Sequence, residues 1–281
     1  MSDAVRTIGI LGGKGMLGSD LVEFLGKDFE TTAIDKEDYD AHRGASFDAL
    51  INANGNSRRF WANQHPAEDL IASTVSVEKS MSDFVFGTYV YISSSDVYEN
   101  HESPQTTRED EVIRSETLSP YGLHKYLAEQ IVRDRAPSFF ILRSSMILGR
   151  QLKKGPFYDM LEKSPLFITA GSRLQAITTA AVAQVITLLL GLDPPSPQLH
   201  QGSDGQARLR RTSRRNEVFN MGGKGTFEFK DLAKYASEPV AFREDAERQI
   251  YEMNVEKLGA RYPLRSSTEY VEEFLSIHGP Q

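Results

Sequence analysis

A glycine cluster that directly follows a short apolar run constrains this chain more than any other feature. The run from Val5 to Leu11 is rich in aliphatic residues and predicts a buried strand. The segment "GGKGMLGSDL" comes next, with glycine at positions 12, 15 and 18. Apolar residues then recur at helical spacing, at Leu17, Leu21, Val22, Phe24 and Leu25. The chain must therefore turn sharply from a strand into a helix here, and glycine permits that turn.

Strands and helices go on alternating along the first half of the chain. Further strands are predicted at Glu30–Ile34, Phe47–Asn54, Thr88–Ser93 and Ser138–Arg143. Helices are predicted at Pro66–Ser82 and in the segment that contains Tyr121. This alternation predicts an α/β fold, a doubly wound parallel sheet of the Rossmann type with helices on both faces.

The second half is less regular and predicts a small α+β portion. It contains a predicted helix at Thr179–Leu190, a strand at Glu217–Met221 and a helix at Phe229–Ala236. Residues 193–216 are rich in Pro, Gly, Ser and Gln and carry five arginines, a composition typical of a mobile surface loop. The arginines could bind a phosphate or a partner, but a solvated loop is the expected explanation. We expect two units, 1–150 and 151–281, with residues 176–192 and 217–236 packing back on the first.

Composition excludes several classes of protein. The chain has 281 residues, no cysteine and a net charge of −7. Without cysteine there is no disulfide, no thiolate metal site and no cysteine nucleophile, and we predict no metal site. The negative charge gives no reason to expect nucleic acid or an anionic membrane as partner. No signal peptide or membrane-spanning apolar stretch is recognisable, so we expect a cytoplasmic protein.

The glycine cluster also has the form of a dinucleotide-binding turn. The N-terminus of the following helix offers free N–H groups and a positive dipole end to a pyrophosphate. Asp35 ends the second predicted strand, where an acidic residue binds ribose hydroxyls and repels a 2′-phosphate. NAD is therefore expected rather than NADP, although Lys14 and Lys36 flank the same pocket and would reverse that preference. The alternative is a tight turn without a ligand.

A tyrosine and a lysine follow in "LSPYGLHKYLAEQ", and Tyr121 and Lys125 share one helical face. The pattern is common by chance and also describes two solvated residues. Beside a bound dinucleotide, however, an ammonium group would lower the tyrosine's pKa from about 10 and hold the nicotinamide ribose. The segment "YISSSDVYE" places serines at the carboxyl end of the fourth predicted strand, where open α/β sheets bind ligands.

These pieces together resemble an extended short-chain dehydrogenase/reductase of the NAD-dependent epimerase/dehydratase family. The matching segments are the three glycines, Asp35, "YISSSDVY", "SPYGLHKYLAE", "FILRSSMILG" and "EVFNMGG". They stand in family order and span residues 5 to 235. The resemblance implies hydride transfer with NAD(P), a small C-terminal substrate-binding portion, and a homodimer formed in part through the helix that bears Tyr121.

The resemblance also assigns residues. It implies that Tyr121, Lys125 and Ser94 are catalytic, since the family's Ser/Thr lies three residues before the valine of the "VY" pair. Ser93 is then expected to face the core. Cofactor contacts are implied for Gly12, Gly15, Met16, Leu17, Gly18, Asp35, Lys36, Asn54, Tyr121 and Lys125. Substrate contacts are implied for Asn56, Ser95 and Arg173.

The same comparison narrows the reaction. Dehydratases of this family resemble one another in a Thr-Asp-Glu triplet at this site. The corresponding residues here are Ser94, Ser95 and Asp96. The first acid of the triplet is therefore missing, and dehydration is disfavoured. Asp96 stands where other members place an acid/base, although a capping or solvated aspartate fits equally. The short segment after Asp35 is similar to dTDP-4-dehydrorhamnose reductases and GDP-fucose synthase-like enzymes. This implies a 4-keto-sugar reductase or a sugar epimerase acting on a nucleotide-activated sugar.

Departures from the family pattern leave alternatives open. Ser73 stands where the family has an asparagine that supports a water network, and Ser144 replaces a proline. Arg58 and Arg59 are expected to border the active site, and Trp61 is either a lid or core. The compact region after Arg150 also fits a reductase of a small non-nucleotide carbonyl compound. A non-catalytic NAD(P)-binding sensor or scaffold is the third alternative.

Overall fold

One parallel sheet of six strands organises the protein, whose computed structural model describes residues 7–56, 58–191, 216–235 and 239–278. The strand order is β10-β5-β4-β3-β1-β2, and every neighbouring pair is parallel. Parallel strands are buried on both faces, which explains their nearly continuous apolar runs. The strands are β1 (Thr7–Leu11), β2 (Glu30–Ile34), β3 (Ser46–Asn52), β4 (Val85–Ser94), β5 (Phe139–Ser144) and β10 (Asn216–Met221).

Helices cover both faces of this sheet and divide its core in two. The helices of the sheet region are α1 (Met16–Leu25), α2 (Arg59–Gln64), α3 (Pro66–Leu70), α4 (Ser76–Asp83), α5 (Pro120–Arg135) and α7 (Thr179–Leu189). On one face Ile8, Ile10 and Ile51 pack with α1 and α7. On the other face Leu11 and Leu50 pack with α4 and α5. The predicted doubly wound fold is confirmed.

The connection between β2 and β3 lacks a crossover helix. Residues 35–45 contain only a 3₁₀ turn at Tyr39–His42, as the short segment after Asp35 suggested. The predicted helix Pro66–Ser82 is continuous in space but contains a π turn at Ile71–Val75 between α3 and α4. Such turns inside a helix often mark functional sites. This one lies against α5.

Two strands differ from the sequence expectation by two residues or more at one end. β3 ends at Asn52, so Asn54 lies in the loop beyond it. β4 begins at Val85 rather than Thr88, because Gly87 does not interrupt the strand. A Cβ at Gly87 would lie 2.8 Å from the Asp48 carbonyl oxygen, so the glycine permits close approach to β3. Val5 and Arg6, Ala236 and the predicted loop up to residue 215 lie outside the described residues, and Asn216 belongs to β10.

The C-terminal half contributes to the main sheet and also forms a core of its own. β10 forms one edge of the sheet, and α7 packs against α1. Residues 227–232 instead pack in a separate apolar cluster with Phe157 and Phe274, which differs from the expected packing on the first unit. The remaining elements are β6 (Met146–Leu148), α6 (Pro156–Leu161), β7 (Leu166–Ile168), β8 (Arg173–Leu174), β9 (Ala176–Thr178), β11 (Phe227–Glu228), β12 (Phe242–Glu247), α8 (Glu256–Gly259) and α9 (Ser267–His278).

The division at residue 150 stays a prediction.

Among the helices that the structure describes, none has the length and apolarity to cross a bilayer.

A fully buried ion pair joins α5 to the carboxyl end of β5. Arg143 in β5 donates to both carboxylate oxygens of Glu129, at 3.0 and 2.8 Å, and Ser93 donates to the same carboxylate at 2.7 Å. Burial alone would raise the pKa of Glu129, but the Arg143 charge and these hydrogen bonds hold it below its usual value. Glu129 is therefore ionised, and its charge depends mainly on Arg143 and these hydrogen bonds, with Arg133 adding a weaker contact at 3.6 Å.

Replacing Glu129 by glutamine should lower the free energy of unfolding by about 3–5 kcal/mol, because Arg143 is left buried without its counter-charge. Urea denaturation followed by circular dichroism measures this. Glu78→Gln is the matched control, because it breaks the exposed pair with Arg135 and should cost less than about 1 kcal/mol. Equal losses in both variants would contradict the importance given to the buried pair.

Candidate active site

The glycine turn requires glycine at the positions that the sequence singled out. Gly12 has a φ of +76°, in the left-handed region that glycine favours. A Cβ at Gly18 would lie 2.0 Å from the Gly12 carbonyl oxygen, so no side chain fits there. Gly15 is the N-cap of α1 and donates its own N–H to Gly12 at 2.9 Å. The turn therefore exposes the amino end of a ten-residue helix with only backbone around it.

Asp35 lies against this turn at the end of β2. Its carboxylate accepts the backbone N–H of Lys14 at 2.9 Å and that of Lys36 at 3.0 Å. The Lys14 ammonium group is paired with Glu37 and Asp38, at 3.5 and 3.4 Å. Asn54 also borders the glycine turn, because its backbone N lies 3.0 Å from the position that a Cβ of Gly12 would occupy. A glycine cradle, a helix N-terminus and an acidic strand end are the parts that a dinucleotide requires.

Tyr121 and Lys125 lie in the first two turns of α5 and are both buried. Ser119 caps the helix, accepting the N–H of Gly122 at 3.3 Å. A Cβ at Gly122 would lie 2.2 Å from the Asp96 carbonyl oxygen, so the helix start packs directly on the turn that follows β4. The Lys125 ammonium group donates to the Ile92 carbonyl at 3.2 Å and lies 5.2 Å from the Tyr91 ring centroid. The tight packing places both side chains at the carboxyl end of β4.

The serines at this strand end point in different directions. Ser94 donates to Asp96 at 2.9 Å and lies close enough to Tyr121 to lower the pKa of its hydroxyl. Ser93 turns to the core and donates to Glu129. Ser95 begins a 3₁₀ turn, Ser95–Val97, and is buried. Of the three serines, Ser94 is therefore the one whose hydroxyl meets the tyrosine.

Asp96 is neither solvated nor free. Besides the Ser94 hydroxyl, its carboxylate accepts a bond from Arg59 at 2.8 Å and approaches the Tyr251 hydroxyl at 3.4 Å. The Arg59 guanidinium group also lies 5.0 Å from the Tyr251 ring centroid, and His101 stacks on the same ring. Arg59 thus borders the site, as expected, and joins α2 to the segment before α8.

The pKa of Tyr121 shifts in the direction opposite to the sequence expectation. The sequence predicts that Lys125 lowers the pKa of Tyr121, whereas the structure shows that burial, and then the Asp96 charge, raise it above its usual value of about 10. The Ser94 hydrogen bond and Arg59 oppose this without reversing it. Burial lowers the pKa of Lys125 to about 8, opposed by Asp69, Glu129 and Asp96. Tyr121 is thus a neutral phenol at pH 7 and has a proton to give.

Two of the predicted substrate contacts, Asn56 and Arg173, have partners within the protein. Asn56 donates to Asp69 at 3.0 Å and to the Arg58 carbonyl at 3.1 Å, so the protein itself engages its amide. Arg173 lies in β8, and its carbonyl accepts the N–H of Tyr251 at 2.9 Å. That bond places Arg173 beside Tyr251, whose hydroxyl approaches Asp96.

Trp61 is half-buried and stacks on His65 with ring centroids 5.0 Å apart. It borders an open groove of about 520 Å³ beside the end of β3. The groove is also lined by Asn54, Gly55, Asn56, Arg58, Ile71, Ala72 and Ser76. Trp61 is therefore part of a groove wall and not of the central core.

Sequence reasoning missed a second buried polar cluster beside the first. Asp69 is fully buried and accepts the Nδ1–H of His124 at 2.7 Å, and His124 immediately precedes Lys125. The histidine inside "YGLHK" was a visible signal of this cluster. Asp69 gave no signal, because an acidic residue in a helix is ordinary.

Asparagine in place of Asp96 should lower the pKa of Tyr121, because it removes the negative charge that disfavours the phenolate. Ser94→Ala should act in the opposite direction by removing a hydrogen bond to the phenolate. Nuclear magnetic resonance of protein labelled at tyrosine Cζ measures both titrations, and Tyr121→Phe assigns the signal. A wild-type Tyr121 that titrates below pH 10 would contradict the raised pKa.

Comparison with known proteins agrees with this geometry. The sequence profile of the NAD dependent epimerase/dehydratase family matches residues 8–160. No curated protein sequence matches the chain. A dTDP-4-dehydrorhamnose reductase from Clostridium acetobutylicum superimposes with a TM-score of 0.70 and 16 % identity, covering 97 % of this chain and 99 % of its own.

Two structures solved with ligands are equally similar. A dTDP-4-dehydrorhamnose reductase from Bacillus anthracis, in complex with NADP, has a TM-score of 0.70 and 16 % identity, covering 98 % of this chain and 100 % of its own. The UDP-glucuronic acid 4-epimerase from Bacillus cereus, in complex with UDP-glucuronic acid and NAD, has a TM-score of 0.69 and 16 % identity, with 97 % and 99 % covered. At this identity the likeness establishes the fold. With its profile match over more than half its length, the chain belongs to the NAD dependent epimerase/dehydratase family and is an NAD(P)-dependent enzyme.

Proposed function

We propose that this protein is an NAD-dependent reductase of a 4-keto-sugar carried on a nucleotide, with Tyr121 as the proton donor. The observation that carries the proposal is the close packing of the start of α5 on the turn after β4, which brings Tyr121 beside Ser94, with Lys125 one turn further along α5. Two hydroxyls at the carboxyl end of a parallel strand are suited to bind one carbonyl oxygen. A neutral phenol can supply the proton that a ketone oxygen needs when it becomes an alcohol.

The residues around the glycine turn fit NAD(H), which supplies or accepts the hydride when bound. The backbone at Gly12, Gly15 and Gly18 would hold the pyrophosphate, and Asp35 would accept the adenosine ribose hydroxyls. A carboxylate has about four acceptor positions, so its two backbone bonds leave Asp35 room for these. Met16, Leu17, Lys36 and Asn54 would border the cofactor, and Tyr121 and Lys125 would face the nicotinamide ribose.

Charge around the adenosine ribose supports NAD over NADP. Glu37 and Asp38 join Asp35 at the end of β2, and both are paired with the ammonium group of Lys14. Lys36 lies within 3.7 Å of Glu37 and is exposed. A 2′-phosphate would therefore meet three carboxylates whose lysine partners are already engaged.

The side chains then have separate tasks. Tyr121 gives its proton to the substrate oxygen, and the Lys125 ammonium group stabilises the phenolate that remains. Ser94 binds the same oxygen, which requires its bond to Asp96 to be exchanged for one to the substrate. Arg59 holds the Asp96 carboxylate in place through its hydrogen bond, so Asp96 acts here as an anchor for Ser94.

A nucleotide sugar as substrate is supported by the family match and by the similar structures, whose own names are those of nucleotide-sugar enzymes. Arg173, Asn56 and Ser95 remain proposed contacts for it.

Tyr121→Phe should reduce turnover of the best keto-sugar substrate by about 10²- to 10⁴-fold, because it removes the proton donor but keeps the ring. NADH oxidation is followed by absorbance with a panel of UDP-, dTDP- and GDP-linked 4-keto-sugars. Affinity for NADH should stay within a few-fold of wild type, since the backbone turn and Asp35 are unchanged.

The panel also separates the alternatives. Tyr126→Phe, on the same helix, is the matched control and should turn over normally. Near-wild-type turnover by Tyr121→Phe would contradict the mechanism. Interconversion of two sugars without net NADH loss would make the protein an epimerase. Turnover of small carbonyl compounds alone would show that the substrate carries no nucleotide. NADH binding without any turnover would favour a sensor or scaffold.

We infer a homodimer through the outer face of α4 and α5. The two helices pack side by side. Leu127 of α5 is 37 % exposed, and Ile71 and Val75 of the π turn before α4 are 62 % and 48 % exposed. Ile71 and Val75 are four residues apart and so share one helical face.

Sedimentation equilibrium should give a dimer for wild type and a monomer for Val75→Lys, with Val112→Lys as the exposed apolar control on a distant loop. A wild-type monomer would contradict the inference.

A further inference from the structure

Asp69 is a buried carboxylate for which the proposed reaction has no use. It lies in α3, is fully buried and accepts three side-chain hydrogen bonds. The donors are His124 at 2.7 Å, Asn56 at 3.0 Å and Ser73 at 3.1 Å. They come from α5, from the loop after β3 and from the π turn, so one carboxylate joins three elements around the active site. Burying a charge at this point is costly unless it interacts with another charge.

The donors tie Asp69 to the residue that precedes Lys125. Thr74 of the π turn donates to the His124 carbonyl at 2.9 Å, so α5 is held at both the side chain and the backbone of His124. On the other side, a Cβ at Gly55 would lie 3.4 Å from the Lys125 ammonium nitrogen and 3.7 Å from the Ser73 hydroxyl. Ser73 thus borders the same small space as Lys125 while donating to Asp69. Ser73, which departs from the family pattern, belongs to this arrangement.

The charges that face Lys125 come from every element packed around it. Glu129, one turn further on α5, is neutralised by Arg143, and Asp96, after β4, is paired with Arg59. Tyr121 and Tyr91 are neutral phenols with raised pKa values. Asp69 is the third carboxylate, and of the three it has the strongest effect on Lys125. Among the described residues, its one ion-pair partner is His124, which is charged only when protonated.

We propose that Asp69 is a positioning residue whose carboxylate is the counter-charge that keeps Lys125 protonated. His124, Asn56 and Ser73 hold that carboxylate in place. This deepens the proposed function, because the ammonium form of Lys125 is the form that stabilises the Tyr121 phenolate and binds ribose hydroxyls. The effect is electrostatic: burial lowers the pKa of Lys125, the Asp69 charge opposes burial more than any other group does, and the pKa that results is about 8.

Titration of Lys125 tests this without a substrate. Protein labelled with ¹³C at lysine Cε is titrated by nuclear magnetic resonance, and Lys125→Arg assigns the signal. Asp69→Asn should lower the titration midpoint of Lys125 by about one unit or more, because it removes the nearby negative charge at nearly constant shape. Asp20→Asn is the matched control: it neutralises a carboxylate that is buried in α1 and should leave the midpoint unchanged. An unchanged midpoint in Asp69→Asn would overturn the proposal.

His124→Gln separates the carboxylate from its partner. Glutamine can still donate to Asp69, so the Lys125 midpoint should stay equal or rise. A fall of one unit or more would overturn the proposal, and this result decides the matter if Asp69→Asn does not fold. Circular dichroism establishes folding for each variant.

NADH binding gives an independent reading. In wild type the affinity should fall as pH rises through the Lys125 midpoint, because the ammonium group is lost there. In Asp69→Asn the same fall should occur at lower pH, and an identical pH profile in the two proteins would overturn the proposal. If wild type does not bind NADH at any pH, the proposed function fails, whereas the Lys125 titration still decides the role of Asp69.

Discussion

The buried pair between Glu129 and Arg143 is the interaction on which the active site depends. It fixes the middle of α5 to the carboxyl end of β5, and Ser93 adds the end of β4 to the same carboxylate. Lys125 and Tyr121 lie one and two turns before Glu129 on the same helix, so their position follows from this anchor. The close contact of Gly122 with the Asp96 carbonyl then sets the helix start against Ser94. Stability and catalysis are thereby linked through one helix.

Around this helix the protein keeps three carboxylates beside one lysine, each with its own partner. Arg143 pairs with Glu129, Arg59 pairs with Asp96, and His124 pairs with Asp69. Two of these pairs have an arginine, which stays protonated at every accessible pH. The third has a histidine, and its carboxylate has the strongest effect on Lys125 of the three.

Much of this architecture could be read from local signals. β2 and the glycine turn have the predicted bounds because periodicity and backbone geometry act over a few residues. Asp35 and the Tyr121–Lys125 spacing are short-range patterns of the same kind. β4 was predicted too short because Gly87 reads as a break, whereas its role is close approach to β3, a contact that only the sheet reveals.

The rest of the site depends on contacts between distant segments. Arg59 and Tyr251 meet at Asp96 from opposite ends of the chain, and no spacing rule joins them. Asp69 and His124 are 55 residues apart. The pKa of Tyr121 could not be predicted in direction, because the sequence shows Lys125 nearby but not how far burial outweighs its charge. Charge balance in a buried site is a property of the whole fold.

The central claim is that the glycine turn and Asp35 form a working NAD site, and a calorimetric titration of the purified wild-type protein with NADH and with NADPH tests it most directly. The account predicts that both bind and that NADH binds at least about tenfold more tightly, since a 2′-phosphate would lie beside Asp35, Glu37 and Asp38. Tighter binding of NADPH would contradict the role of these carboxylates. Binding of neither would contradict the site itself.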